Sequence, residues 1–484
     1  MNTVDVVVVG SGPNGLAAAV TLASAGLSVD VVEGAASAGG GCRTEALTLP
    51  GFRHDVCSAV HPLVLASPFF RRPAFDGLRD AVRQPRVPFA NPLEGNVAVA
   101  AYRSVEETAD ALGPDGPSYR RLVGPLVRNA EEIGNSVLAP LRSLPRHPIA
   151  FGQFGLPGLL PTSWLVRQFR GDPAKALLAG VAAHAMVPLT APLTSAFGLL
   201  LTMTAHSVGW PVIEGGSSAI TDALVAELRR LGGNVTTGQW VRSLSELPPS
   251  TVVLLDTAPK GLLALTDAAL PSRYRRQLQQ FRYGPGVCKV DWALTGPVPW
   301  AATACRHAGT VHLGGTYPEV AASEADVAAG RHPQRPYCII VQPGVADPTR
   351  APSSQETLWA YCHVPHGSTV DMTAAIEAQI ERFAPGFSDL ILSRSTITAA
   401  EVEQHNPNYV GGDIGAGASN LRQTLLRPTP RWNPYRTPLQ NVYLCSASTP
   451  PGGGVHGMCG VYAARTALHD HFGGPPPFRA EPAI

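Results

Sequence analysis

Three glycines in six residues, Gly10-Ser11-Gly12-Pro13-Asn14-Gly15, carry the most direct chemical implication in this chain. A glycine at 10 permits a tight turn, at 12 it removes the Cβ that would hold a diphosphate away, and at 15 it lets a helix pack closely on a strand. Pro13 and Asn14 belong to the same expected contact, at a helix start whose N–H groups face phosphate. Glu33 follows about 18 residues after Gly15, near the ~20-residue spacing of a ribose-binding acid. Its carboxylate is expected to accept a ribose 2′-hydroxyl and to repel a 2′-phosphate, which favours FAD or NAD over NADP.

A second glycine-rich loop comes next, from Gly34 through Gly39-Gly40-Gly41-Cys42-Arg43-Thr44. Gly34, Gly40 and Gly41 allow the backbone to lie against an anionic ligand, and Arg43, followed by Thr44, offers a guanidinium for phosphate. A third turn closes the chain, Ser446-Ala447-Ser448-Thr449-Pro450-Pro451-Gly452-Gly453-Gly454-Val455-His456-Gly457-Met458. Ser448, Gly454, Val455, His456 and Met458 are its expected cofactor contacts.

The elements that must position these turns are legible. Val6 to Val9 is an apolar β-branched run, and the Ala-rich run after Asn14 reads as a helix ending at Gly26. Ser28–Val32 is a second strand. A helix from Ser217, the expected cap, carries Ile220, Leu224, Leu228 and Leu231 on one face and stops at Gly232-Gly233. Strands follow at 234–237 and 251–256, and the run 441–445 feeds the third turn. This grammar predicts an α/β fold, a Rossmann-type nucleotide domain interleaved with an α+β substrate domain. The expected division is 1–67, 207–280 and 397–484 for the first, and 68–206 with 281–396 for the second.

Within the second domain, Tyr119–Leu138 has helical spacing. Strands are expected at 289–294, 337–341 and 357–361, and a helix at 372–384 stopped by Pro385-Gly386. Lys289 to Leu294 alternates Lys289, Asp291 and Ala293 with Val290, Trp292 and Leu294. The segment 149–170 mixes apolar residues with Gly, Pro, Trp164, Arg167 and Arg170, so it reads either as a lid over a pocket or as a peripheral contact with a bilayer.

Composition narrows the classes. The length of 484 residues implies more than one core, and a net charge of +1 with no basic stripe excludes nucleic acid as the expected partner. The 8 cysteines form no CxxC pair and no metal spacing, so no metal is expected and reduced thiols in a cytoplasm are the simple reading. The first strand begins almost at the N-terminus, which argues against a signal peptide, and no apolar run of about 18 residues occurs.

The glycine turn, the acid and the Gly-Gly-x-Arg-Thr-type loop resemble the flavoprotein superfamily of phytoene desaturases, carotenoid isomerases, amine oxidases and Rab GDP-dissociation inhibitors. The likeness is closest to bacterial phytoene-dehydrogenase-like proteins, through Leu49-Pro50-Gly51-Phe52-Arg53-His54-Asp55 and Ser58-Ala59-Val60-His61-Pro62. The resemblance implies FAD, with the loop 39–44 beside diphosphate and flavin, the turn 446–458 at the flavin, and the backbone of Val241 at the adenine. It further implies a hydrophobic polyene- or isoprenoid-like substrate that loses hydride to flavin N5, with the protein supplying mainly orientation and a proton acceptor.

Gly286-Val287-Cys288-Lys289-Val290-Asp291 is similar to the strand on which amine oxidases hold a water against N5, so Lys289 is the first catalytic candidate. His456 and His61 are the others. Amine oxidation, with Tyr409 and Trp432 as an aromatic pair, redox-neutral isomerisation and a non-catalytic prenyl carrier are the competing readings. His206 and Asp413 are weaker candidates. The resemblance includes no separate nicotinamide domain, and the electron acceptor stays open.

Overall fold

A computed structural model describes residues 4–140, 147–266 and 269–478. Its nucleotide sheet is five-stranded and wholly parallel, in the order Val442–Leu444 (β16), Ser250–Leu255 (β10), Val4–Val9 (β1), Val29–Val32 (β2), Asn234–Thr236 (β9). Strands of a parallel sheet are covered on both faces, and Val6, Val8, Val31, Val252 and Leu254 are buried accordingly. The helix Pro13–Ala23 packs on this sheet through Leu16, Ala17, Val20 and their neighbours, and the chain turns at Gly26 with φ +86°.

A seven-stranded mixed sheet forms the second layer. Its order is Ile391–Ile397 (β15), Gly286–Leu294 (β11), Glu356–Val364 (β14), Cys338–Val341 (β13), Ala308–Leu313 (β12), Val87–Leu93 (β6), Val97–Ala101 (β7). Only β12 and β6 pair in parallel. Two short ladders, Thr44–Glu45 (β3) with His54–Asp55 (β4) and Val82–Arg83 (β5) with Val212–Ile213 (β8), clip loops to this frame. The strands of the two large sheets alternate along the chain, so neither is one contiguous segment.

Three expectations change. The run 119–138 forms two helices, Gly116–Arg128 and Ala130–Val137. Asn129 leaves helical geometry and its amide donates to Pro125 O at 2.9 Å, which ends the first helix there. Ser217 does precede the helix Ser218–Arg230, but its side chain does not cap it; the hydroxyl donates to Ser58 O and faces His61 instead. β11 is buried at all nine positions, so its alternation separates two covered faces.

The last helix, Met458–His471, lies against Pro13–Ala23, and this contact joins the C-terminal turn to the first. Gly460 makes it possible, because a Cβ there would overlap the carbonyl of Asn14. Both partners are backbone, so neither can move aside. Gly460→Leu is therefore expected to destabilise the chain by at least ~1–3 kcal/mol, read as a lower urea midpoint. An unchanged midpoint would contradict the packing.

Candidate functional site

The first turn is built as its glycines require. Gly10 adopts φ +98° and its N–H donates to Val32 O at 2.8 Å, tying the end of β1 to β2. Glu33, just past β2, reaches back: Oε2 accepts from Ser11 N–H (2.8 Å) and Ser11 Oγ–H (2.6 Å), and Oε1 accepts from Ala35 N–H (2.8 Å). A carboxylate has about four acceptor positions. Glu33 therefore holds the turn and keeps capacity for a ribose hydroxyl.

The second loop folds onto the first. Gly39 N–H donates to Ser11 O at 3.1 Å, and a Cβ on Gly40, itself at φ +55°, would lie 3.0 Å from Gly12 Cα. Arg43 donates from Nε to Gly40 O (3.1 Å) and places Nη2 2.7 Å from His405 Nε2, so its guanidinium braces the loop. Thr44 Oγ–H goes to Asp55 Oδ1 (2.8 Å), a locking role. Beside Glu33, Gly238 N–H donates to Ala35 O (2.7 Å) and Gln239 N–H to Glu33 O (2.8 Å). Val241 is partly buried against the apolar cluster there, and the ring of Trp240 covers Gly34. Trp240, half exposed beside the ribose acid, is an aromatic that the sequence pattern did not single out.

The third turn closes on the first helix, where a Cβ on Gly457 would lie 2.9 Å from Ala17 Cβ, and on the segment 63–69, where Ser67 Oγ–H donates to His456 O at 2.6 Å. Gly454 adopts φ +118° against Leu63, Val455 is partly buried in the core, and Met458 begins the last helix. His456 Nδ1 accepts from Met458 N–H at 3.0 Å and Nε2 lies 3.2 Å from Gly452 O. Burial pushes this imidazole down to about 4, so it is a neutral brace of the turn. His61 is likewise buried, faces Ser217 Oγ at 2.9 Å, and is pushed down to about 4 by burial. Neither ring lines the cavity described below.

Whether a dinucleotide fits can be asked of the polar atoms. Asn14 Oδ1 and Ser448 Oγ are buried without a hydrogen-bond partner. Such an atom costs ~1–3 kcal/mol until satisfied, and both lie on motifs expected to grip one cofactor. The glycine cradles and Glu33 fit the same ligand.

Asp256 is the exception. It follows β10, accepts from Gly15 N–H at 2.9 Å through Oδ2, and would stand 2.6 Å from a Cβ on Gly12. The nearest obstacle at the second glycine is thus a carboxylate of the chain itself. Burial raises it to about 7 against the lowering by Gly15 N–H, with the nearby Glu33 charge adding a smaller raise. The sequence signal was one acid ending an apolar run, Val252 to Leu255.

Lys289 sits on β11, 4% exposed, in an ion pair with Asp291. It lines a small cavity of about 30 Å³ with Cys57, Trp359, Tyr361, His405 and Tyr409 among its walls. Its ammonium lies 5.7 Å from the centre of the Trp359 ring. The register explains the grouping, since Lys289 is opposite Tyr361 and Asp291 opposite Trp359 across β11 and β14. Tyr409 reaches the second loop, where a Cβ on Gly41 would overlap its hydroxyl, and Cys57 lies 3.8 Å from the same point. The fold therefore brings Lys289 to the second glycine loop.

Trp432 is 76% exposed and does not line this cavity, so the aromatic neighbours of Tyr409 are Trp359 and Tyr361. His206 bonds Tyr119 Oη at 2.6 Å. Asp413 accepts three backbone N–H groups, from Gly284, Gly415 and Gly417, and organises its loop. Among the described residues no three His, Cys, Asp or Glu groups are placed to hold a metal.

Comparison with known proteins agrees with this architecture. The family model for an NAD(P)-binding Rossmann-like domain matches residues 8–70, the first two turns. A mouse protein, pyridine nucleotide-disulfide oxidoreductase domain-containing protein 2, is 25% identical over 96% of this chain and 93% of its own. An oxidoreductase from Methanosarcina mazei superposes with a TM-score of 0.62 at 15% identity, covering 96% of this chain and 100% of that one. Putrescine oxidase bound to putrescine does so at 0.60 and 18%, covering 97% and 99%. The chain thus contains a Rossmann-like nucleotide-binding domain within the fold shared by these oxidoreductases.

Proposed function

We propose that this chain binds one FAD between its first, second and third turns and dehydrogenates a hydrophobic substrate held over Lys289. The observation that carries the reading is the meeting of two motifs about 430 residues apart, with Asn14 Oδ1 and Ser448 Oγ both unpartnered at that junction. When bound, FAD supplies a two-electron acceptor for hydride. Glu33 and Trp240 would hold its adenosine end, and the loop 39–44 its diphosphate. Lys289, paired with Asp291, stands where a proton must be accepted or a water positioned. Trp359, Tyr361, Tyr409, Val287 and Ile397 give Lys289 apolar surroundings that suit a hydrophobic, isoprenoid-like molecule, while the enclosed space of about 30 Å³ itself has room for about one water.

A second reading is amine oxidation, favoured by the three aromatic rings around one small cavity, whose faces attract an ammonium. Anaerobic mixing with isoprenoid and amine substrates separates the two: the true class bleaches the flavin. Bleaching by neither, with a substrate rearranged and the flavin returned oxidised, identifies an isomerase.

Asp256 gives this site a pH signature. Its folded value is raised, so the carboxyl is neutral below about 7 and becomes an anion against the diphosphate above it. FAD affinity is expected to weaken as pH rises through about 7, up to the tenfold per pH unit that one linked proton allows. Asp256→Asn should flatten this dependence. A pH-independent affinity in the wild type, measured by flavin fluorescence titration, would remove Asp256 from the cradle.

Access from a membrane surface is the reading we favour for the segment 149–170. Ile149, Leu156, Leu159 and Trp164 are 80%, 73%, 53% and 59% exposed, and Arg167 lies over the Trp164 ring at 5.4 Å. No Asp or Glu occurs from Ile133 to Gly171, so the patch matches an anionic bilayer. None of the described helices is long and apolar enough to cross one. Binding to vesicles rich in phosphatidylglycerol is expected, weakened severalfold by Trp164→Ser with Arg167→Glu. Equal sedimentation with and without anionic vesicles would refute it.

A further inference from the structure

Behind Lys289 lies a row of buried polar groups that hydride transfer itself does not use. Asp291, the partner of Lys289, is 1% exposed, and its second oxygen, Oδ1, has no hydrogen bond. Facing it at 3.6 Å is His54 Nδ1, also buried and also without a hydrogen bond. The other ring nitrogen of His54, Nε2, is 2.7 Å from Thr48 Oγ1. Thr48 is half-buried, in a loop whose residues Ala46 and Pro50 are exposed. The row runs from the cavity at Lys289 to the surface at Thr48.

Two buried lone-pair atoms 3.6 Å apart are too far for a hydrogen bond and too close for a bridging water. One proton between them, after a shift of a few tenths of an ångström, satisfies both. A neutral imidazole supplies it in either of two ways, because one nitrogen donates while the other accepts, and the Thr48 hydroxyl can do either. In the first arrangement His54 donates from Nδ1 to the Asp291 carboxylate and accepts from Thr48. In the second, Asp291 is protonated and donates to Nδ1, while His54 donates from Nε2 to Thr48.

We infer that Asp291, His54 and Thr48 form a proton relay that connects Lys289 to solvent without opening the cavity. The inference rests on the reading of Lys289 as the proton-handling group of a flavin dehydrogenation. The Lys289 ammonium passes one proton to its partner Asp291, and the amine lone pair this leaves on Nζ takes up the next from the substrate. The Asp291 O–H then gives it to His54 Nδ1 as the His54 Nε2 proton leaves to the Thr48 oxygen and the Thr48 proton to water. One proton enters, one leaves, and only N–H and O–H bonds change. The ring carries no lasting charge.

The surroundings favour this route. Burial, Lys289 and Arg350 hold His54 down to about 3, so it serves as a neutral two-sided link. Burial raises Asp291 to about 6 against the lowering by Lys289, which keeps its protonated form accessible. The other charged groups are already committed. Asp55 pairs with Arg350 at 2.5 Å and accepts from Thr44 and Ser217. On the cavity side His405 faces Arg43, itself 3.9 Å from Glu45, and Tyr409 faces Cys57.

The test joins a measurement that needs no flavin to one that does. Nitrogen-15 NMR of the histidine rings in the purified chain should show His54 changing tautomer as pH passes through the Asp291 titration, while staying neutral. In Asp291→Asn it should hold one tautomer at all pH. With FAD bound, Thr48→Val should slow substrate-driven flavin reduction about tenfold or more, with a larger solvent isotope effect, and Thr48→Ser should restore it to within about twofold. A His54 tautomer indifferent to pH and to Asp291→Asn would overturn the relay, as would a Thr48→Val enzyme with the rate and isotope effect of wild type. Tautomer coupling in a chain that never reduces flavin would leave the relay standing and overturn the functional reading instead.

Discussion

The close approach of two helices, Pro13–Ala23 and Met458–His471, is the constraint on which the rest depends. It exists because Gly460 presents no side chain to the Asn14 carbonyl. Helix packing distances are set by the side chains at the contact, and a glycine lets backbone meet backbone. Once that contact forms, the C-terminal turn can only lie on the first glycine turn. β16 then completes the nucleotide sheet beside β10, which delivers Asp256 to the same place. The seven-stranded sheet is anchored to this frame through β3 and β4, and its β11 carries Lys289 to the second loop. One contact near the two ends of the chain thus decides how the glycine turns and the lysine on β11 lie relative to one another.

Electrostatics at the two halves of the site follow opposite designs. At the nucleotide end, Glu33 and Asp256 place two carboxylates around a helix N-terminus, where a diphosphate would also seek the positive dipole. Glu33 accepts from three donors, two on Ser11 and one at Ala35. Asp256 has one described donor to its side chain, and burial raises it to about 7. At the cavity end the charges are paired before any ligand arrives. Lys289 with Asp291 and Arg350 with Asp55 are both nearly completely buried. Buried pairs of this kind add little net stability compared with apolar packing, yet removing one partner is expensive.

Much of this was legible in the amino-acid order. The glycine turns announce themselves because backbone geometry there has almost no alternative to glycine, and Glu33 because strand length fixes its spacing. The β-branched runs and the Ala-rich helices followed from periodicity alone. What stayed hidden depends on register across strands. Trp359 and Tyr361 are ordinary strand aromatics until β14 pairs with β11 and sets Tyr361 opposite Lys289. His54 reads as part of a short loop motif until β3 and β4 fold it under Asp291. His61 and His456 looked like chemistry because histidine titrates near neutrality. Burial holds both neutral, with serine hydroxyls facing His61 and backbone groups facing His456, and no local pattern distinguishes the two cases. Asp256 was passed over because a single acid at a strand end is normally solvated.

Every functional reading above requires one flavin nucleotide at the junction of the glycine turns. The most direct test of this is the flavin released when the purified chain, saturated with FAD and freed of excess, is denatured. One equivalent per chain is expected, with the released nucleotide being FAD. A chain that retains none, while its fold is intact by circular dichroism, would contradict it.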